Sequence, residues 1–230
     1  MIMKISLTVS PREKYIGLFY LLFQLFVLPE MLVLLNGFLE TPLSAGHLNL
    51  IMFGINFLVV LGIFHSFLWK NLTRIFREPW RVLKAAFVGF CVYYVSNIAL
   101  SNLLLWFSPD FFNVNDQNVQ TIVGENYFLS SLCVVVLVPI VEETLYRGLV
   151  FGSIYRKSPW AAYLVSTVAF AAIHVIGYIG SYSPVQLLLC FLQYLPAGLC
   201  LGWAYAKSDC LWASVLMHMT INQIGLSLMR

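Results

Sequence analysis

The sequence predicts an all-α fold: a polytopic transmembrane helical bundle of about seven helices with its N-terminus inside. Three observations carry this expectation. The 230 residues are 60% hydrophobic and only 10% charged, where a soluble domain of this size carries about 25% charge. Apolar stretches recur along the whole chain at roughly the 20-residue length that a spanning helix needs. The basic residues fall on every second connection between them, as they do when one face of a bundle lies in the cytoplasm.

The apolar segments are read at 15–36, 48–69, 83–107, 127–154, 159–180, 184–206 and 210–228. The first follows Lys4, Arg12 and Lys14. It carries Pro29 and Glu30 and lacks a small-residue cleavage site, so no cleavable signal peptide is expected. The second leads into Lys70, Arg74, Arg77, Arg81 and Lys84, a basic stretch read as a positive-inside loop, with an interfacial helix on anionic lipid as the alternative. The third ends at loop 108–126, which carries Asp110, Asp116 and Glu125 and no Lys or Arg.

The fourth segment is long and contains Pro139. It is expected to kink or to begin before the hydrocarbon region, and proline is tolerated there when neighbours re-satisfy the freed carbonyl. Arg156 and Lys157 separate it from the fifth. The sixth holds Gly198 and Gly202, a GxxxG pair that lets helix backbones approach closely, and ends at Lys207. With the N-terminus inside, eleven of the thirteen Lys and Arg lie on the cytoplasmic side. The other two are Arg147, within a helix, and the terminal Arg230.

No soluble domain of useful length remains, so a nucleic-acid role is excluded. Cys91, Cys133, Cys190, Cys200 and Cys210 sit in or beside apolar segments without metal-type spacing, and are read as packing residues rather than disulfides. No internal repeat or low-complexity segment stands out.

Charged residues deep in apolar segments are rare and usually functional. The run Val141-Glu142-Glu143-Thr144-Leu145-Tyr146-Arg147-Gly148 places three of them together. Helical neighbours point about 100° apart, so the two carboxylates cannot share one role. Glu143 and Arg147, at i, i+4, suit an ion pair. Glu142 is left facing another partner, and a buried carboxylate is a candidate general base. The whole cluster could instead be a packing ion pair. His174 follows Phe170 by one turn; it is a functional group or a packing histidine bonded to a helix carbonyl. His218 and Asn222 share one face of the last segment. They can hold a water, bind a metal or donate to an oxyanion, or form an interhelical clasp. At 1.5 Å per residue, Glu142, His174, His218 and Asn222 lie roughly 10–25 Å from the cytoplasmic boundary and can meet in one layer. Gln24, Glu30, His47 and His65 do not converge in this way.

Taken in order, Glu142-Glu143-x-x-x-Arg147, Phe170-x-x-x-His174 and His218-x-x-x-Asn222 resemble the three motifs of the CPBP family, the CAAX proteases and bacteriocin-processing enzymes also called the Abi family of intramembrane endopeptidases. The Gly after Arg147 and the Gly198/Gly202/Tyr205 stretch resemble the family as well, and Tyr146 stands where an aromatic, often Phe, is usual. The resemblance covers about residues 127–228. It implies two parts: a variable N-terminal set of helices with the basic loop at 1–126, and a catalytic core of four helices at 127–230.

It also implies peptide-bond hydrolysis within the membrane. Glu142 would activate a water with His174 helping to hold it. His218 and Asn222 would stabilise the oxyanion, with Glu143, Arg147 and Phe170 in support. The family is described as metal-independent glutamate proteases, so no cofactor is expected; if zinc were used, its ligands would be Glu142, His174 and His218. The compact chain is similar to small bacterial members, placing it in a bacterial cell membrane. Its substrate would be a peptide or membrane protein such as a leader peptide, a pheromone or bacteriocin precursor, or a CAAX-like chain, with room for a membrane partner that presents it. The alternatives are a non-catalytic self-immunity or scaffold member of the family, and a transporter using Glu142 as a proton carrier. The transporter expects half-to-half symmetry, which the sequence lacks.

Overall fold

A computed structural model describes residues 5–228; Lys4 and Arg230, two charges of the topology reading, lie outside the described residues. These form α1 (Pro11–Phe26), α2 (Leu28–Asn36), α3 (Ala45–Arg77), α4 (Pro79–Phe107), α5 (Val114–Glu125), α6 (Tyr127–Tyr155), α7 (Pro159–Ile176), α8 (Pro184–Ser208) and α9 (Leu211–Leu228). No β-strand occurs among the described residues. Ser-Pro pairs open three of the helices: Ser10, Ser158 and Ser183 accept the amides of Glu13, Ala161 and Gln186, and the proline takes the first helical position, where its missing N–H costs nothing.

Among the described residues five helices, α3, α4, α6, α7 and α8, are long and apolar enough to cross a membrane, fewer than the seven expected; α1 and α2, bent by 45°, meet the same test only as a pair, as a broken span or a re-entrant loop. The chain is thus a polytopic helical membrane bundle. Helix α9 stands apart, because His218, Thr220, Asn222 and Gln223 lower its hydropathy. It is packed against α3, α4, α6 and α8. Large side chains such as Leu58, Phe87, Val95 and Leu188 are exposed on the helix exteriors, as lipid-facing residues must be.

Three features depart from the sequence expectations. The basic stretch 70–84 is neither a loop nor a separate interfacial helix: α3 runs on to Arg77 and α4 begins at Pro79. Lysine, arginine and leucine are good helix formers, and the helix stops only where Glu78, disfavoured from helical angles by the following proline, turns the chain. Loop 108–126 contains α5, capped by Asn113, whose side-chain oxygen accepts the amides of Asn115 and Asp116. Helix α3 is broken at Phe64 (φ −104°, ψ 17°). The buried Glu13 carboxylate stabilises that break, accepting the Phe67 amide at 3.0 Å and the Ser10 amide at 2.7 Å.

One end of the bundle is stapled by Asp209, which closes α8 in the left-handed region (φ 55°). Its carboxylate accepts both the amide and the hydroxyl of Ser6 and pairs with Arg74 at 2.9 Å. Beside it, buried Asn71 accepts the Leu211 amide at 2.8 Å and so caps α9 from a neighbouring helix. The GxxxG pair brings α8 onto α7: a Cβ at Gly198 would stand 2.7 Å from Thr167 Cγ2 and 3.1 Å from Thr167 Cα, and one at Gly202 would press on Phe151 and Tyr163.

Gly198→Val is therefore expected to lower thermal stability in detergent by about 1–3 kcal/mol through overpacking. Gly54→Ala, whose added carbon meets nothing within 4 Å, should leave the melting curve unchanged or slightly raised.

Candidate active site

The site is built on α6, at a place where the helix is not regular. Cys133–Leu137 and Thr144–Phe151 form π turns, and Val138–Glu143 between them is α-helical. Such wide turns concentrate at functional sites. Glu143 and Arg147 are fully buried and paired at 3.2 Å. The Arg147 guanidinium also lies 4.1 Å above the Phe170 ring of α7 and donates to the Gly198 carbonyl of α8 at 3.4 Å. Ser166 of α7 donates to the Tyr146 carbonyl at 2.8 Å, locking α7 to the same turn.

Each imidazole has one nitrogen committed. His218 Nδ1 lies 2.9 Å from Glu143 Oε1, and His174 Nδ1 lies 2.7 Å from the Phe170 carbonyl. Carboxylates and carbonyls only accept, so Nδ1 carries the proton in both rings and Nε2 is left for other work. His218 Nε2 stands 3.9 Å from Glu142 Oε2. Phe170 separates the two imidazoles, 4.8 Å from His174 and 5.7 Å from His218 between ring centres.

Asn222 answers the backbone problem that Pro139 creates. In the π register the Val138 amide bonds the Cys133 carbonyl. The next donor would be residue 139, and proline has none. The Val134 carbonyl left over accepts Asn222 Nδ2 at 2.8 Å. One N–H of the amide is thus anchored to α6, leaving the second N–H and the carbonyl oxygen.

Glu142, His174, His218 and Asn222 all line one cavity of about 640 Å³, together with Tyr146 and Phe170. Glu143 and Arg147 stand behind its wall. Glu142 Oε2 and Tyr146 Oη are buried polar atoms without a hydrogen-bond partner among the described residues. The cavity runs from this layer toward the end of the bundle that carries α5. Its other end is closed by a packed layer: Leu149, Phe151, Tyr205 and Leu211 have no exposed surface, and the Phe151 ring stacks on Tyr155 at 5.0 Å and meets Tyr163 edge-on at 5.0 Å.

The residue that sequence reading misses is Tyr194 of α8. Its ring stacks on His174 at 3.9 Å and 22°. Its hydroxyl donates to Asp116 at 3.2 Å and accepts from Asn115 Nδ2 at 3.1 Å, so α5 is docked onto the group that holds His174. The only sequence signal for this is a tyrosine one turn before the small residues Ala197 and Gly198. Burial raises the Asp116 carboxyl to about 6, against the Tyr194 hydrogen bond, which lowers it. Glu30, His47 and His65 are exposed, outside the site, but Gln24, expected with them to lie apart, lines the cavity; the five cysteines are free thiols.

A zinc site would need three donors meeting at one point. Among the described residues no three His, Cys, Asp or Glu side chains are arranged to hold a metal ion. Glu142, His174 and His218 share a cavity but are not gathered into such a set.

Residues 124–224, the stretch that carries the three motifs, match the model of a family described as type II CAAX prenyl endopeptidase Rce1-like, in accord with the CPBP resemblance. Among curated proteins, the chain is 30% identical over 112 residues to the UPF0177 protein YxdF of Lactococcus lactis subsp. lactis, covering 48% of this chain and 56% of that one. It is 34% identical over 101 residues to an uncharacterised 24.3 kDa protein of Escherichia coli, with 43% of each covered. It is 28% identical over 85 residues to YdiL of Bacillus subtilis, named provisionally as a membrane peptidase, covering 36% of this chain and 30% of YdiL. The matches thus span about half or less of these relatives. No solved structure matches the chain at a significant level.

Two expectations follow from the geometry. Glu143→Gln leaves Arg147 buried without its counter-charge and should destabilise the protein by about 3–5 kcal/mol, whereas Glu142→Gln should leave the melting temperature unchanged or raised; thermal unfolding in detergent reads both. For Asp116, a folded pKa raised above its ordinary 3.8 means a stabilising contribution that is full below about 4 and lost as pH rises through about 6. Asp116→Asn should therefore gain stability over the wild type at pH 8 and not at pH 4.

Proposed function

We propose that this chain is an intramembrane endopeptidase that hydrolyses a peptide bond in a membrane-associated peptide or protein, using a water activated by Glu142 and no metal. The observation that carries this reading is Glu142 Oε2: a buried, unpartnered carboxylate oxygen in a cavity wall, 3.9 Å from the free nitrogen of His218. Further support comes from the Rce1-like match over residues 124–224 and from the provisional peptidase name of YdiL.

In the proposed reaction Glu142 takes a proton from water as the oxygen adds to the scissile carbonyl carbon. His174, its Nδ1 tied to Phe170, accepts a hydrogen bond from that water through Nε2. The carbonyl electron pair moves onto oxygen, and the oxyanion accepts hydrogen bonds from the second Asn222 N–H and from His218. His218 can donate from Nε2 only as an imidazolium, a form that Glu143 stabilises through Nδ1. When the tetrahedral intermediate collapses, the C–N bond breaks and Glu142 returns its proton to the leaving amine. Arg147 and Phe170 hold Glu143 and the two imidazoles in place.

In this proposal residues 127–230 form the catalytic core, and the helices of 1–126 complete the cavity wall. The chain sits in a bacterial cell membrane with its N-terminus cytoplasmic. The substrate class is a leader peptide, a pheromone or bacteriocin precursor, or a CAAX-like chain, and a substrate-presenting membrane partner is compatible with it.

The test is cleavage of a peptide library by the purified protein in lipid, with and without a chelator. Glu142→Gln should reduce cleavage by about 10²–10⁴-fold, His174→Ala and His218→Ala should abolish it, all three should still accumulate in the membrane, and the chelator should have no effect. A cellular phenotype that survives Glu142→Gln would replace hydrolysis by a binding role such as self-immunity or scaffolding. Loss with chelator, restored by zinc, would overturn the metal-free mechanism.

A further inference from the structure

The two ends of the bundle differ in both charge and packing. Apart from Arg147, every Lys and Arg among the described residues lies in the first turn of α1 (Arg12 and Lys14) or at the α3/α4, α6/α7 or α8/α9 connection. Contacts tie these together as one end: Arg74 pairs with Asp209, the Arg81 guanidinium donates to the Lys207 carbonyl, and the Tyr205 hydroxyl donates to the Leu7 carbonyl. This is also the end closed by Leu149, Phe151, Tyr205 and Leu211. The opposite end carries α5 and no described Lys or Arg. The cavity reaches toward that end alone, and Asn49, Asn113, Asn115, Asn118 and Gln193 line it there.

From this pairing of a sealed basic end with an open, cation-free end, we propose that the site is served from the non-cytoplasmic face of the membrane, and that its substrates are extended peptide segments presented there after translocation. The inference rests on the endopeptidase reading for what happens to the substrate; the side of access rests on the geometry and on the positive-inside rule. Side-chain amides suit an extended peptide: Asn113, Asn115 and Gln193 spend one N–H each on Gln193, Tyr194 and Ser101, and the second N–H of each is left to meet backbone C=O groups. The lining contains no cation to select an acidic chain.

Two glycines make the access testable without disturbing the catalytic groups. Gly177 and Gly225 line the cavity, and a Cβ at either meets nothing within 4 Å. Gly177→Cys, Gly225→Cys and the mouth variant Asn118→Cys are treated with a membrane-impermeant maleimide, in intact cells and in inverted vesicles. The parent chain, with its five native cysteines, sets the blank, and Lys157→Cys reports the basic end. The expected result is labelling of the three cavity variants above the blank in intact cells, lost in inverted vesicles, with the reverse for Lys157→Cys. Labelling of the cavity variants only in inverted vesicles, or from neither side, overturns the proposal, as does labelling of Lys157→Cys in intact cells. Three reporter positions keep the result independent of any one variant that fails to accumulate. The readout involves no cleavage, so an inert site with outward labelling sinks the protease reading and leaves the access intact.

Discussion

A guanidinium and a carboxylate with no exposed surface must satisfy each other, because lipid and packed side chains offer nothing else. The Glu143–Arg147 pair meets that demand within one helix and then reaches three of its neighbours. Arg147 rests on Phe170 of α7 and bonds the Gly198 carbonyl of α8, while Glu143 holds His218 of α9. Helices α6, α7, α8 and α9 are thereby referenced to one charge pair. Glu142, adjacent in sequence, is turned away by the helix itself, which is why it reaches the cavity while Glu143 stays behind the wall.

The second constraint is backbone satisfaction. Pro139 and the π turns loosen α6 where its carboxylates must be aimed, and each loosened group is claimed by another helix: Val134 by Asn222, Tyr146 by Ser166. Asn222 is thus a structural member before it is a chemical one. The polar residues that lower the hydropathy of α9 are divided: His218 is buried among the surrounding spans, whereas Thr220 and Gln223 are exposed.

Much of this was legible in the sequence because the signals are local. Apolar run length located the spanning helices, with the end of α3 at Arg77 the largest miss, and the i, i+4 spacings predicted both the Glu143–Arg147 pair and the common face of His218 and Asn222. What escaped depends on partners distant in sequence. The break at Phe64 is stabilised by Glu13, which accepts the amide of Phe67, fifty-four residues further along the chain. Tyr194 looks like any aromatic in an apolar helix until α7 supplies His174 and α5 supplies Asp116. Segment 70–84 misled because its basic residues read as a connection between spans while being good helix formers, so charge and propensity pointed to different structures.

The packed layer beneath the cavity bears on how the cell survives having such a pore-like space in its membrane. A chamber lined by carboxylates and imidazoles would, once filled with water, have the ingredients of a proton wire, and a chamber open at both ends would discharge the electrochemical gradient. Phe151, Tyr155, Tyr163 and Tyr205 interrupt that path with stacked and edge-on rings. Reactive groups can then sit at membrane depth while the bilayer keeps its electrical insulation.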